Sequence, residues 1–192
     1  MTAELLESQL DDAFARRAEV ANSLSLASEA VAGACAAMAD RFRQGATLLV
    51  FGSGAAAADA AHVAVEFVHP VIVGKRALPA VSLSSDVATL SGIASDDPDD
   101  TFAAALRVLA RPGDIALGMD NEGHMSALRL AFGVAHDLGL LTVAMTGAAG
   151  QTLARDAAVD HLLSTPSSDP QVIKEIHVTT YHVLWELVHV FL

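Results

Sequence analysis

The chain has 192 residues, of which 53% are hydrophobic but only 5% aromatic, with 11 basic and 23 acidic side chains and one cysteine. That length suits one α/β core with an added helical segment rather than two domains. A formal charge of −12 argues against nucleic acid or an anionic membrane as partner, since both need a basic face, and the lone Cys35 excludes an intramolecular disulfide.

The opening MTAELLESQLDDAFARR is acidic where a secretory leader is basic, and it lacks a compact apolar stretch. Nowhere does an apolar run reach the roughly 18 residues that a membrane span needs, so the expected location is cytoplasmic. From Ala3 to about Arg43, apolar residues including Leu6, Leu10, Phe14, Val31, Met38 and Phe42 recur at helical spacing, which predicts two helices broken near Asn22 or Ser25. Cys35 falls in the alanine-rich second part and reads as a small buried hydrophobe.

GATLLVFGSG then reads as a buried parallel strand ending in a glycine turn, and AAAADAAHVAVEFV as the helix it feeds. The alternation continues: the strand LPAVSL, a helix from about Asp86 to Ala94, the acidic loop SDDPDD, and the helix TFAAALRVLA. The loop lacks the glycine and terminal glutamate of an EF-hand, so it reads as solvated. After it come the strand DIALGM, a helix from about His124 to Leu138, the strand LLTVAM, a TGAAG turn with a short helix, the strand DHLLST, and a last helix from about Asp169. Five strands alternating with helices predict an α/β, doubly wound parallel sheet. Such sheets bind ligands at the carboxyl ends of their strands, where GSGAAAAD and MDNEGH fall.

Two helices carry residues with chemistry. His62 and Glu66 are four apart and share a face of the helix after the first strand. On the last helix Lys174, His182 and Glu186 lie on one broad side. Taken singly, each is read more readily as a packed or solvated helix residue than as a ligand.

Together with the stretches GSGAAAADAAHVAVEF, ALPAVSLSSDVATLSGIASD, ARPGDIALGM, LLTVAMTGAAGQTLA and IKEIHVTTYHVLWELV, they give the chain from about residue 45 onward a resemblance. It resembles the sugar isomerase (SIS) domain, and within it the phosphoheptose isomerase group. The resemblance implies a flavodoxin-like SIS domain over residues 45–192 preceded by a helical segment, 1–44, that packs subunits into a homotetramer. It also implies isomerisation of a sedoheptulose 7-phosphate-like sugar, aldose to ketose through an enediol, with Glu66 as base and His182 as acid. Where members carry zinc, the matching ligands are His62, Glu66 and His182; Lys174 stands where the family has a glutamine. Two readings of Lys174 follow: its charge replaces the metal and pairs with Glu66, or it is an exposed helix lysine.

The substrate-binding positions implied by the same matching are Ser53, Gly54 and Ala56 in the first loop, Ser85 and Asp86 in the next, and Asp120, Asn121, Glu122 and His124 after the third strand. Here the chain departs from the family, whose phosphate cradle is Gly-Asn-Gly-Gly-Ser and Ser-Thr-Ser-Gly-Asn-Ser. The first loop loses its final serine and the second all three, and the second gains two carboxylates. Two like charges about 4 Å apart cost roughly 4 kcal/mol at an effective dielectric near 20, against about 1.5 to 3 kcal/mol for each hydrogen bond to a charged group. The expectation is weakened phosphate binding. It leaves three readings: a divergent isomerase, a non-catalytic SIS-fold binding or assembly subunit, and a protein selecting an amino-bearing ligand.

Overall fold

The computed structural model describes the backbone of residues 3–123, 125–156 and 159–192, and the side chains of these except residues 3, 4 and 154–156. Helix α1 (Ala3–Ser23) is followed by a short 3-10 turn, Leu24–Ala27, and by α2 (Ser28–Arg43). The break falls where Asn22 and the serines lie, as their local hydrogen bonding favours: Ser23 Oγ donates to the Val20 carbonyl and Ser25 Oγ to that of Asn22.

Five βα steps follow in chain order: β1 (Leu48–Gly52), α3 (Ala55–Val68), β2 (Ala80–Ser82), α4 (Val87–Asp96), α5 (Thr101–Leu109), β3 (Ile115–Asp120), α6 (Met125–Asp137), β4 (Leu141–Thr146), α7 (Gln151–Asp156), β5 (His161–Ser164) and α8 (Pro170–Phe191). The strands form one all-parallel sheet ordered β2-β1-β3-β4-β5. β1, β3 and β4 are buried along their whole length. Their continuous apolar runs are therefore shared between two faces, because successive side chains of a strand point to opposite sides.

Leu48, Val50, Ile115, Leu117, Val143 and Met145 meet α2, α3 and α8 on one face. Leu49, Phe51, Ala116 and Ala144 meet α5 and α6 on the other. On this second face Phe51 packs against Phe102 and Phe132, ring centroids 5.3 and 5.5 Å apart. Cys35 is buried on α2, and burial pushes its thiol up to about 11. Among the described residues, α1 contributes nothing to these clusters. Its Leu5, Leu6, Leu10 and Phe14 are exposed, and it is tied to α8 by the two contacts of the Arg17 guanidinium with the Glu175 carboxylate, 2.7 and 3.0 Å.

Candidate active site

β1 and β3 lie side by side with Gly52 opposite Met119, so the loops that leave their carboxyl ends adjoin. Close approach dictates the residue at that point. A Cβ on Gly52 would stand 2.8 Å from the Met119 carbonyl oxygen and 2.9 Å from the Ala56 Cβ, closer than side-chain atoms approach. Ser84 holds the same turn from the β2 side: its hydroxyl accepts the Gly52 N–H at 3.1 Å and donates to the Gly52 carbonyl at 2.9 Å. Gly54 then takes a φ of +56°, open to a residue without Cβ, and begins α3.

The remaining loop residues take separate places. Ser53 is exposed, whereas Ala56 is buried with its N–H on the Ser53 carbonyl. Ser85 lies exposed on the turn after β2. Asp86 caps α4, accepting the N–H of Thr89 at 3.2 Å and its hydroxyl at 2.6 Å, and these bonds hold its carboxyl below the ordinary carboxylate range. Asp120 is buried at the end of β3 and its Oδ2 accepts the Gly123 N–H at 2.6 Å. One of the two unexpected carboxylates thus folds its own loop. The other, Glu122, crosses to the first loop: its two oxygens lie 3.2 and 3.5 Å from where a Cβ on Gly54 would be. His124 lies outside the described residues.

A small cleft opens beside these loops, lined by Asp120, Asn121, Glu122, Gly147, Ser167 and Ser168 among others. The histidine and glutamate residues lie farther along α3, where it runs beside α8. Three rungs join the two helices. Lys174 Nζ contacts Asp59 Oδ2 at 2.5 Å and the Ala55 carbonyl at 3.1 Å. Tyr181 Oη lies 2.9 Å from His62 Nδ1, and Trp185 Nε1 donates to the Glu66 carbonyl at 2.8 Å.

Between the second and third rungs, His62, Glu66 and His182 come together, with ligand atoms all within 4.8 Å of one another. His62 Nε2 lies 3.2 Å from Glu66 Oε1, and the His62 and His182 rings meet edge to face at 5.2 Å. The Glu66 side chain is 14% exposed and that of His62 44%, so the cluster is reached from solvent while its carboxylate is sheltered. Burial, then the negative charge of Asp59 and Glu66, pushes the Tyr181 phenol up to about 12. It remains protonated and can serve as hydrogen-bond donor or acceptor to His62.

The structure corrects both readings of Lys174. It is paired with Asp59 rather than with Glu66, and although its side chain is about a third exposed (34%) its ammonium is held by that carboxylate, whose side chain is only 9% exposed. The reason is helical phase: Asp59 lies seven residues, two turns, before Glu66 on the same stripe of α3 and nearer the start of α8. The three- and seven-residue spacings from Asp59 to His62 and Glu66 were the signal that could have flagged it. Tyr181 and Ser84 gave none, since their roles come from contacts with other elements.

The donor set fits zinc. Two imidazole nitrogens and a carboxylate oxygen within 4.8 Å match a three-ligand site with one open position. Tyr181 behind His62 is the outer hydrogen bond such a ligand uses to fix its ring. Lys174, committed to Asp59 and Ala55, adds no fourth ligand.

The comparisons with known proteins agree with this architecture. The SIS domain family matches residues 14–147. The phosphoheptose isomerase of Roseiflexus sp. is 38% identical over 153 residues, 78% of this chain and 75% of that one. Among solved structures, a phosphoheptose isomerase from Neisseria gonorrhoeae superposes with a TM-score of 0.85 at 26% identity, covering 95% of this chain and 98% of that one. Another, from Francisella tularensis, gives 0.82 at 28% identity, with 98% of both chains covered. The chain belongs to the SIS-domain family, in its phosphoheptose isomerase group.

Proposed function

We propose that this protein interconverts the aldose and ketose forms of sedoheptulose 7-phosphate or a closely similar sugar phosphate. The observation that carries the reading is the convergence of His62, Glu66 and His182 within 4.8 Å, from two helices, in a chain whose curated relatives are phosphoheptose isomerases. In this reading the Glu66 carboxylate removes a proton from the carbon beside the carbonyl and returns it to the neighbouring carbon. The His182 imidazole moves the proton between the two oxygens, so that an enediol forms and collapses. Tyr181 holds the His62 ring, and Trp185 fixes the backbone at Glu66. Zinc held by His62, Glu66 and His182 would polarise the oxygens of the substrate.

The same relatives favour this reading over a non-catalytic binding subunit. A homotetramer built through α1 is part of the proposal, supported by the exposed Leu5, Leu6, Leu10 and Phe14. So is a cytoplasmic location. Among the described residues no helix is long and apolar enough to cross a membrane.

The test is incubation of the purified protein with sedoheptulose 7-phosphate, with and without added zinc, and detection of the aldose. Turnover that falls about 100-fold or more in Glu66→Gln and in His182→Ala supports the assignment. Absence of turnover under both conditions refutes it.

A further inference from the structure

Resting on the isomerase reading for its effect on turnover, we propose that His189 is a positioning residue that works as a proton-dependent clamp: as an imidazolium it ties the segment after α3 to α8, and so fixes the last turn of α3, which carries Glu66. The last turn of a helix leaves its carbonyls without donors from the same helix. At the end of α3 outside donors take their place. The Trp185 indole N–H donates to the Glu66 carbonyl at 2.8 Å, and the Leu78 N–H, from the segment that returns to β2, donates to the Phe67 carbonyl at 2.8 Å. The placing of Glu66 therefore depends on one side chain of α8 and on residues 69–79.

His189 reaches both. Its Nδ1 lies 2.8 Å from the Trp185 carbonyl oxygen and its Nε2 2.9 Å from that of Arg76. Its ring meets the Trp185 indole at a centroid distance of 4.6 Å, close enough for a cation to act on the aromatic face, and stacks on Phe67 at 6.3 Å. Phe67 follows Glu66, and Arg76 stands two residues before Leu78. The imidazole thus backs both anchors of the helix end.

Charge decides how many of these bonds exist. A carbonyl oxygen only accepts, and an imidazole donates from both nitrogens only when it carries two protons. On losing one proton it keeps a single bond and turns a lone pair toward the other oxygen. The segment is the side that yields, since Trp185 is buried within α8 whereas Arg76, Val71 and Val73 are exposed. The charged and titratable groups on the elements around the ring are Glu66 and His69 at the end of α3, Lys75 and Arg76 after it, Asp40 and Arg43 at the end of α2, and Glu186 on α8. Among the described residues none of their side chains is bonded to the imidazole, and Arg43 is engaged by Asp40 and the Phe191 carbonyl. The proton is held by two carbonyl dipoles and an aromatic face.

Trp185 is the single tryptophan, and an imidazolium in contact with an indole quenches its emission, so fluorescence reads the clamp. Emission and NMR exchange of the Leu78 amide, corrected for the intrinsic pH dependence of exchange, are followed from about pH 5 to 8, where imidazoles change charge. Two proteins are compared, the native one and His189→Gln, whose amide donates to one carbonyl alone. In the native protein emission should rise with pH while protection of Leu78 falls about tenfold or more, as the loss of one hydrogen bond to a charged group implies. The variant should lack both steps, and at about pH 6 its kcat for sedoheptulose 7-phosphate should be about tenfold lower with KM little changed. Identical emission and exchange profiles in the two proteins overturn the proposal, as does a kcat that the substitution leaves unchanged. Should the variant not fold, the native protein decides: Leu78 exchange that follows the titration of the His189 ring resonances supports the clamp, and exchange independent of it overturns it. Emission and exchange need no substrate. A His189 step without turnover in either protein would remove the isomerase and keep the clamp on the helix end; turnover without that step would do the reverse.

Discussion

Lys174 on α8 and Asp59 on α3 meet at 2.5 Å, two helical turns from the Glu66 carboxylate that one of the two readings of this lysine paired with it. The ion pair locks the start of α8 to the start of α3, and the ammonium also caps the Ala55 carbonyl. It leaves Glu66 unneutralised by lysine and facing two histidines.

Replacing Lys174 by Met strands a carboxylate whose side chain is 9% exposed. The loss of stability should be about 1 to 3 kcal/mol, below the full cost of a deeply buried pair because the lysine end is partly solvated. Urea unfolding measures it. Adding Asp59→Asn to the same chain should recover much of the loss, and failure to recover would show that the lysine acts through its packing instead.

Tyr181→Phe removes only the oxygen that faces His62 Nδ1. The ring remains in the core, and the exposed side of His62 can take water in its place, so the melting temperature should hardly move. Zinc affinity, followed by competition with a chromophoric chelator, should fall roughly 10- to 100-fold, and turnover with it. An unchanged zinc affinity would dissociate Tyr181 from the positioning of His62.

Gly52→Ala should destabilise the protein by about 1 to 3 kcal/mol. The added methyl meets the Met119 carbonyl at 2.8 Å and the Ala56 Cβ at 2.9 Å, neither of which is the end of a flexible side chain. Because this contact sets the approach of the β1 and β3 loops, the variant should also weaken ligand binding. Denaturation and phosphate titration read the two effects separately.

His177 supplies a pH dependence. It is 1% exposed, its Nε2 has no partner among the described residues, and burial holds its pKa below the ordinary value despite the Thr146 carbonyl, which opposes the shift. Above about pH 6.5 the imidazole is neutral in folded and unfolded chains alike. As the pH falls below that value the unfolded chain takes up a proton that the folded one refuses, so stability drops toward the lower folded pKa, by at most about 1.4 kcal/mol per pH unit. Denaturation midpoints between about pH 7 and 5 should decline less steeply in His177→Gln than in the native protein. Parallel slopes would locate the titration elsewhere.

The sequence by itself determined the order of the elements and the end of the sheet where ligands bind. Continuous apolar runs such as LLVF and LTVAM specify strands buried on both faces, and glycine turns leading into helices specify parallel connections, because both signals are local. His62 with Glu66 was legible for the same reason, as a four-residue spacing on one helix. The resemblance brought His182 to that pair, and the packing of α8 on α3 placed the three together. Only the tertiary structure decided what each charge does. Lys174 could have met Asp59, Glu66 or water until the phase of two helices was fixed. Asp120 and Glu122 are two residues apart with the same charge, yet one folds its loop through Gly123 and the other lies against Gly54. Adjacent carboxylates are alike in sequence; which donor or helix end each one faces is set by the strand register that joins β1 to β3, and that is a property of the packed chain.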